Sequence, residues 1–388
     1  MPDRKPMHLS SVHRWLGAAG LVAIVMGGVT SVPVAAPFIP APFKEPTVFA
    51  SQNGVLNLLM IATPQPIPTI PFVPPGVGTP KIIFPTGWVY EVCQRPASGD
   101  QCPAGAGTAA EYGGVRLALK QGDTLKIHFV NNLPPLDPNK LTHSGELGQE
   151  NIALNATNIH THGVLTPARA ATTADNTWGD DVFVEVFNPA NGMPVPPAAS
   201  HQDGPMIVGP IDYSITIPKN HPSGLFWFHP HLHGLALNQV SQGLAGVITI
   251  GQVGDFAKGD MHQTPFPESA VRYLTLKEIQ VLAAGTVQFD KGPQPVVNGE
   301  VLNQEDPDFC PQSPANGEVR RGVCAGQDNS EDGGSNFVGG KWFFTVSGQQ
   351  YPTIRVTDPD GEVWRLTLRR AASATICSWS TTLAKSPW

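Results

Sequence analysis

The chain predicts an all-β fold, a Greek-key sandwich or barrel. Gly 40 and Pro 40 in 388 residues are more turn-formers than a helical protein carries. About eight short β-patterned runs are separated by turn residues, with no long amphipathic helix among them. The runs are Val55–Ile61, Trp88–Val92, Val115–Leu119, Thr124–Val130, Val182–Phe187, Ile211–Ile217, Gly224–Phe228 and Gly246–Ile250. Thr124–Val130 alternates most cleanly, with Leu125, Ile127 and Phe129 inward and Lys126 and His128 outward, after a turn at Gln121-Gly122-Asp123.

A second β segment starts near Val271, with strands expected at Tyr273–Ile279, Trp342–Val346, Thr353–Val356 and Glu362–Thr367 around a loop-rich stretch, 304–340. That is too few strands to close a sandwich, so an exposed edge open to association is expected. Upstream, Arg4, Lys5 and Arg14 precede an apolar run, Trp15–Val29, and small residues Val34-Ala35-Ala36, the three-part layout of an export signal. The run is short for a membrane span. Pro37 is a poor cleavage context, so an uncleaved N-terminal anchor, and with it membrane attachment, is the alternative. The expected organisation is an export signal or anchor at 1–36, a Pro-rich tether at 37–53, a first domain at 54–255, a partial second at 265–367 and an aberrant tail at 368–388.

A net charge of -7, with basic residues scattered, offers no stripe for nucleic acid. Five cysteines fit an oxidising compartment if four pair locally, Cys93 with Cys102 and Cys310 with Cys324, leaving Cys377 over. Four unpaired thiols are the alternative, since connectivity does not follow from sequence. Periplasmic or extracellular localisation is the matching expectation.

The chemistry lies in two histidine clusters. Asn158-Ile159-His160-Thr161-His162-Gly163 is the first, and Leu225-Phe226-Trp227-Phe228-His229-Pro230-His231-Leu232-His233-Gly234 is the second, followed by Gln239 and Gln242-Gly243-Leu244-Ala245-Gly246. Residues i and i+2 of a strand share a face, so each His-x-His directs two imidazoles into a common space. Imidazole sites without thiolate or carboxylate suit copper and zinc best. His128, His143, His201 and His221 read as surface histidines by loop or outward position, Gln239 and the glycines after it as shapers of the turn, and Trp227 and Phe228 as strand core.

Together, in this order, the clusters resemble the first two copper-binding motifs of the multicopper oxidases, and the similarity to bacterial, laccase-like members runs from about Gly54 to Thr367. The resemblance implies a cupredoxin-like Greek-key β-sandwich followed by an incomplete second cupredoxin-like domain. It implies that His160 ligates a type 2 copper and that His162, His229 and His231 ligate a type 3 pair, with His233 outside the ligand set. Asp180 and Asp181, after Trp178 and near Asp175, stand where the family often places a proton-relaying acid, and a solvated acidic turn is the competing reading. The intact form would take electrons from a reducing substrate and pass them to O2, giving water.

The resemblance is partial. No histidine follows His262, Cys377 lies in Thr375-Ile376-Cys377-Ser378-Trp379, and so the type 1 copper and half of the trinuclear ligands have no counterpart. The expectation is a copper-binding N-terminal part that is not a competent oxidase as written, with a stand-alone copper-binding module as the alternative and a zinc hydrolase a third reading. A copper nitrite reductase would need a cysteine near the second cluster, and none lies between Cys102 and Cys310. After Thr367 a basic, Ser/Thr-rich tail replaces β pattern. One choice of codons for 376–382, shifted by two bases, spells an alternating strand and a turn, so a frameshift is the expected origin of the tail.

Overall fold

Leu56, Leu58 and Met60 on one strand and Leu125, Ile127 and Phe129 on its neighbour alternate inward and build the centre of the core. The structure, a computed structural model, describes residues 41–67, 86–105, 107–136, 148–195, 204–232, 235–254, 268–281, 286–288, 292–294, 337–338, 341–350, 352–354, 363–370 and 373–377. His143, His201, His233, Cys310, Cys324 and the export segment lie outside them.

Strands β1 (Val48–Ala50), β2 (Val55–Pro66), β3 (Thr86–Gln94), β4 (Thr108–Ala110), β5 (Arg116–Leu119) and β6 (Thr124–Asn131) come first. Helix α1 (Gly148–Ala153), β7 (His160–His162), β8 (Glu185–Phe187), β9 (Met206–Val208), β10 (Ile211–Thr216), β11 (Gly224–His229), helix α2 (Ala236–Gln242) and β12 (Gly246–Ile250) follow. One five-stranded sheet has the order β10-β6-β2-β3-β4 and the other β1-β5-β12-β11-β7. Their inner faces, with Leu117, Phe228, Ile248 and Ile250 from the second, share one apolar core. The all-β expectation holds, and the two sheets form a sandwich around that core.

Strand β2 lies between β6 (parallel) and β3 (antiparallel), and both of its faces are buried: Leu56, Leu58 and Met60 in the core, and outward Leu59 and Ile61 against Cys93 and Val130. Cys93 is bonded to Cys102, with their Cα atoms 5.8 Å apart. The loop this bond closes is pinned to the sheet by an ion pair and by histidine–carboxylate contacts. Arg95 meets Asp212 at 2.7 Å, and His128 contacts Asp100 and Asp212, each at 2.9 Å. His128 is therefore a partly buried brace between loop and sheet rather than a free surface histidine.

The later strands are β13 (Val271–Val281), β14 (Thr286–Gln288), β15 (Gly292–Gln294), β16 (Phe337–Val338), β17 (Lys341–Val346), β18 (Gln349–Gln350), β19 (Val363–Arg370) and β20 (Ser373–Cys377). They form a five-stranded sheet, β18-β17-β13-β19-β20, and a three-stranded one, β15-β14-β16. Strand β19 runs past Thr367 to Arg370 and pairs with β20, which contains Cys377. The lead-in expected as a tether is partly structured: Pro42 pairs with Thr353, and β1 runs parallel to β5. Thr275 donates to the Gly113 carbonyl, and Arg116 lies 4.1 Å over the Tyr273 ring. No described helix is long and apolar enough to cross a membrane.

Two glycines after the second cluster have distinct causes. Gly243 ends α2 at φ 140°, where a side chain would be strained. Gly246 is required by space instead: it faces Phe228 across the β11–β12 ladder, and a Cβ there would sit 2.1 Å from that ring.

The Cys93–Cys102 bond closes a short loop, for which loss of the cross-link costs about 2–3 kcal/mol. Cys93→Ser is expected to lower the unfolding free energy by that order in urea titration, and an unchanged midpoint would contradict this account of the loop.

Candidate metal centre

The two histidine clusters meet because β7 pairs antiparallel with β11 in a register that sets His160 opposite His229 and His162 opposite Trp227. With a period of two along each strand, residues 160, 162, 227 and 229 all present their side chains to one face. Strand β7 is the border of its sheet, so this face opens to one side: His229 is buried, His160 half-buried and His162 exposed. Trp227 follows the same parity. Although buried, it faces the histidines rather than the sandwich interior, stacking 3.8 Å from the His229 ring and 4.9 Å from that of His162. Phe228, pointing the other way, is the core residue of the pair.

Ligand nitrogens of His160, His162 and His229 all lie within 4.8 Å of one another. His162 Nδ1 and His229 Nε2 are 3.2 Å apart. Two nitrogens bound to one metal at about 2.0 Å each are separated by about 2.9–3.3 Å, so this pair fits a shared ion without rearrangement. The outer nitrogens are committed in the way metal-site imidazoles require. His229 Nδ1 donates to the Pro230 carbonyl at 2.7 Å, which leaves Nε2 with its lone pair inward. His160 Nδ1 donates to Asp180 Oδ1 at 3.1 Å, which likewise frees its Nε2. An all-imidazole donor set with a carboxylate behind one ring suits copper or zinc. His231 stands beyond the end of β11, its ring 4.9 Å from that of His160 and 5.9 Å from that of His229.

The two carboxylates separate. The 178–180 segment lies along β10, Trp178 N–H donating to Asp212 O and Ser214 N–H to Trp178 O, and this delivers Asp180 to the site. Asp180 Oδ1 accepts from His160 and, at 2.8 Å, from Thr161 N–H. Burial alone would push its carboxyl up, but these hydrogen bonds and the attraction of His160 win and hold it below the ordinary carboxylate range. Asp181 turns away and accepts from Phe183 N–H in its own turn, and Asp175 pairs with Arg169.

Several residues escape sequence reasoning. Tyr213 lies beneath the first cluster, its hydroxyl accepting from Ile159 N–H, and burial pushes its pKa up, so it is neutral. His221 is buried, not superficial: Nε2 accepts from Leu165 N–H at 2.9 Å and Nδ1 donates to Pro222 O at 2.8 Å. It ties the loop after His162 to the approach of β11. Gln239 of α2 is buried and holds the approach to β7, accepting from Thr157 and donating to Asn155 and the Ala156 carbonyl. Asn158 bonds to three segments at once. The reach of these side chains was invisible in the sequence because, apart from the His221–Pro222 bond, the contacts are non-local.

No family model and no curated protein matches the chain. Among solved structures it is similar to a multicopper oxidase, described as a metallo-oxidase, from Campylobacter jejuni at 16% identity and TM-score 0.39, covering 85% of this chain and 43% of that one. It is similar to the McoA multicopper oxidase of Aquifex aeolicus at 17% identity and TM-score 0.39, covering 86% and 46%. A laccase from Pediococcus acidilactici matches at 16% and TM-score 0.38, covering 87% and 47%. The chain thus spans less than half the length of these structures. Likeness at this level does not define the chemistry, and the histidine geometry carries the reading that follows.

A carboxyl held below its ordinary value in the folded state binds its proton more weakly there than in the unfolded chain. The stability Asp180 contributes is therefore full above about pH 4 and is lost as pH falls through the lower folded value. In the metal-free protein, Asp180→Asn is expected to flatten the acid limb of a thermal-midpoint profile. An acid limb identical to that of the parent would refute the role given to this pair.

Proposed function

We propose that this chain is the exported, copper-binding N-terminal part of a multicopper-oxidase-like protein, holding copper through His160, His162, His229 and His231 as half of a trinuclear site. The observation that carries the reading is the β7–β11 register with its 3.2 Å approach of His162 Nδ1 to His229 Nε2. Bound there, copper would supply one-electron redox chemistry of the kind imidazole ligands support. The chain's own residues do the rest. Asp180 fixes the His160 ring by accepting its Nδ1–H hydrogen bond, the Pro230 carbonyl fixes the tautomer of His229, and Trp227 stacks against His162 and His229.

By itself the chain is not expected to turn over. Electron entry needs a type 1 copper with a cysteine and two histidines, and the described site holds neither thiolate nor further histidines. O2 and a reducing substrate are partners of the intact form, and type 1 copper is not expected here. The half-site lies at a sheet border and is open on one side, which is also compatible with a stand-alone module that holds copper without turnover. The DNA beyond the codon for Thr367 separates the two: another frame encoding His-Pro-x-His and His-Cys-His gives the truncated oxidase, and no such frame gives the module.

The test is copper loading of the purified chain, read by metal content and Cu(II) paramagnetic resonance with a phenol-oxidation assay alongside. Expected are bound copper with nitrogen ligation and no oxidation above free copper. His229→Ala is expected to cost more than the about 10–100-fold in affinity that losing an outer partner typically costs. Copper binding that ignores His160→Ala and His229→Ala would overturn the site, and zinc-dependent ester hydrolysis would point to a hydrolase instead.

A further inference from the structure

Three of the four histidines are placed by the β-ladder, and the fourth is not. His160 and His162 lie in β7 and His229 closes β11, each held by the paired strands. Pro230 has no N–H to continue the ladder, so His231 leaves the sheet. The grouping of nearby ligand nitrogens stops at the same point, since it contains 160, 162 and 229 but not 231. A different interaction has to set where His231 stands.

We infer that Asn158 is a positioning residue that fixes His231 beside the other histidines. Its side chain is fully buried, at 0% exposure. Oδ1 accepts the backbone N–H of His231 at 2.7 Å, and Nδ2 donates to the carbonyls of Val182 at 2.9 Å and Val184 at 3.1 Å. One planar amide thus uses both donors and an acceptor on two segments remote in sequence while anchored two residues before His160. No other side chain of this size offers that set: aspartate has no donors for the two carbonyls, and serine has one and is shorter. Because Val182 and Val184 lie two and four residues after Asp180, the same amide holds the carboxylate loop and the fourth histidine in a fixed relation. The ladder fixes three ligands and Asn158 fixes the last.

This inference rests on the copper reading, and the experiment separates the two. Copper(I) affinity is measured by competition titration for the parent, Asn158→Ala, His231→Ala and the double variant. Asn158→Ala is expected to weaken binding about 10–100-fold, as loss of a partner that orients a ligand typically does. The double variant is expected to bind no more weakly than His231→Ala alone, because the effect of Asn158 passes through His231. A residue that merely stabilised the fold would lower affinity equally in both backgrounds, and such additivity, or parent-like affinity in Asn158→Ala, overturns the inference. A parent chain that binds no copper overturns the proposed function instead. In that case, or if Asn158→Ala does not fold, hydrogen exchange at the residue 231 amide of the metal-free parent decides: strong protection outside any strand supports the inference, and exchange at the unprotected rate refutes it.

Discussion

The antiparallel register between β7 and β11 is the constraint on which the candidate centre is built. A slip of one residue along this ladder would send one cluster to the opposite face of the sheet. The register is not set by β7, which is only three residues long, but by the residues behind it. Thr161, paired with Phe228, points into the interior, and Phe228 in turn fills the space left by Gly246 on β12. The packing of an aromatic ring against a glycine on one side of the sheet thereby decides which side the imidazoles occupy.

The approach to the first cluster, residues 155–159, is held by buried polar side chains that find partners. Asn131 donates to the Asn155 and Val186 carbonyls and accepts from Leu133 N–H, Gln239 secures residues 155–157, and Tyr213 takes Ile159 N–H. A buried amide left without its bond costs about 1–3 kcal/mol, whereas each bond made is worth about 1 kcal/mol net. Such a network adds modest stability and strong selectivity, because alternative backbone paths around residues 155–162 forfeit several bonds together. It substitutes for the long ladders that a short border strand cannot provide.

Much of this was legible in the sequence. The alternation in Thr124–Val130 foretold the inward Leu125, Ile127 and Phe129, and seven further runs gave strands with ends displaced by a few residues. The His-x-His spacing foretold shared faces. Strands β4 and β9 carry too little pattern to be read: β4 exists because the longer β3 recruits it, and β9 because it pairs with the equally short β8. Adjacent Asp180 and Asp181 could not be told apart, since the turn that aims one at His160 is made by backbone bonds to β10. His221 looked superficial because its Pro-flanked setting resembles an exposed turn, yet it fills a slot formed by Leu165 and Phe226. Parity separated Trp227 from Phe228, which a composition-based reading had merged.

The distance along the chain between the two clusters has a kinetic consequence. His162 and His229 are 67 residues apart, and Asn158 and His231 are 73 apart. An unfolded chain offers two separate chelating pairs, each able to hold a metal weakly and in the wrong company. The joint site comes into being only when long-range pairing closes, a late event where contacts are non-local. Metal arriving early would cross-link each pair to other partners and obstruct that closure. Metal arriving late would find the ligands assembled and would lock the β7–β11 pairing, so if the site is loaded as proposed, the order of folding and loading would govern the yield of the correct species.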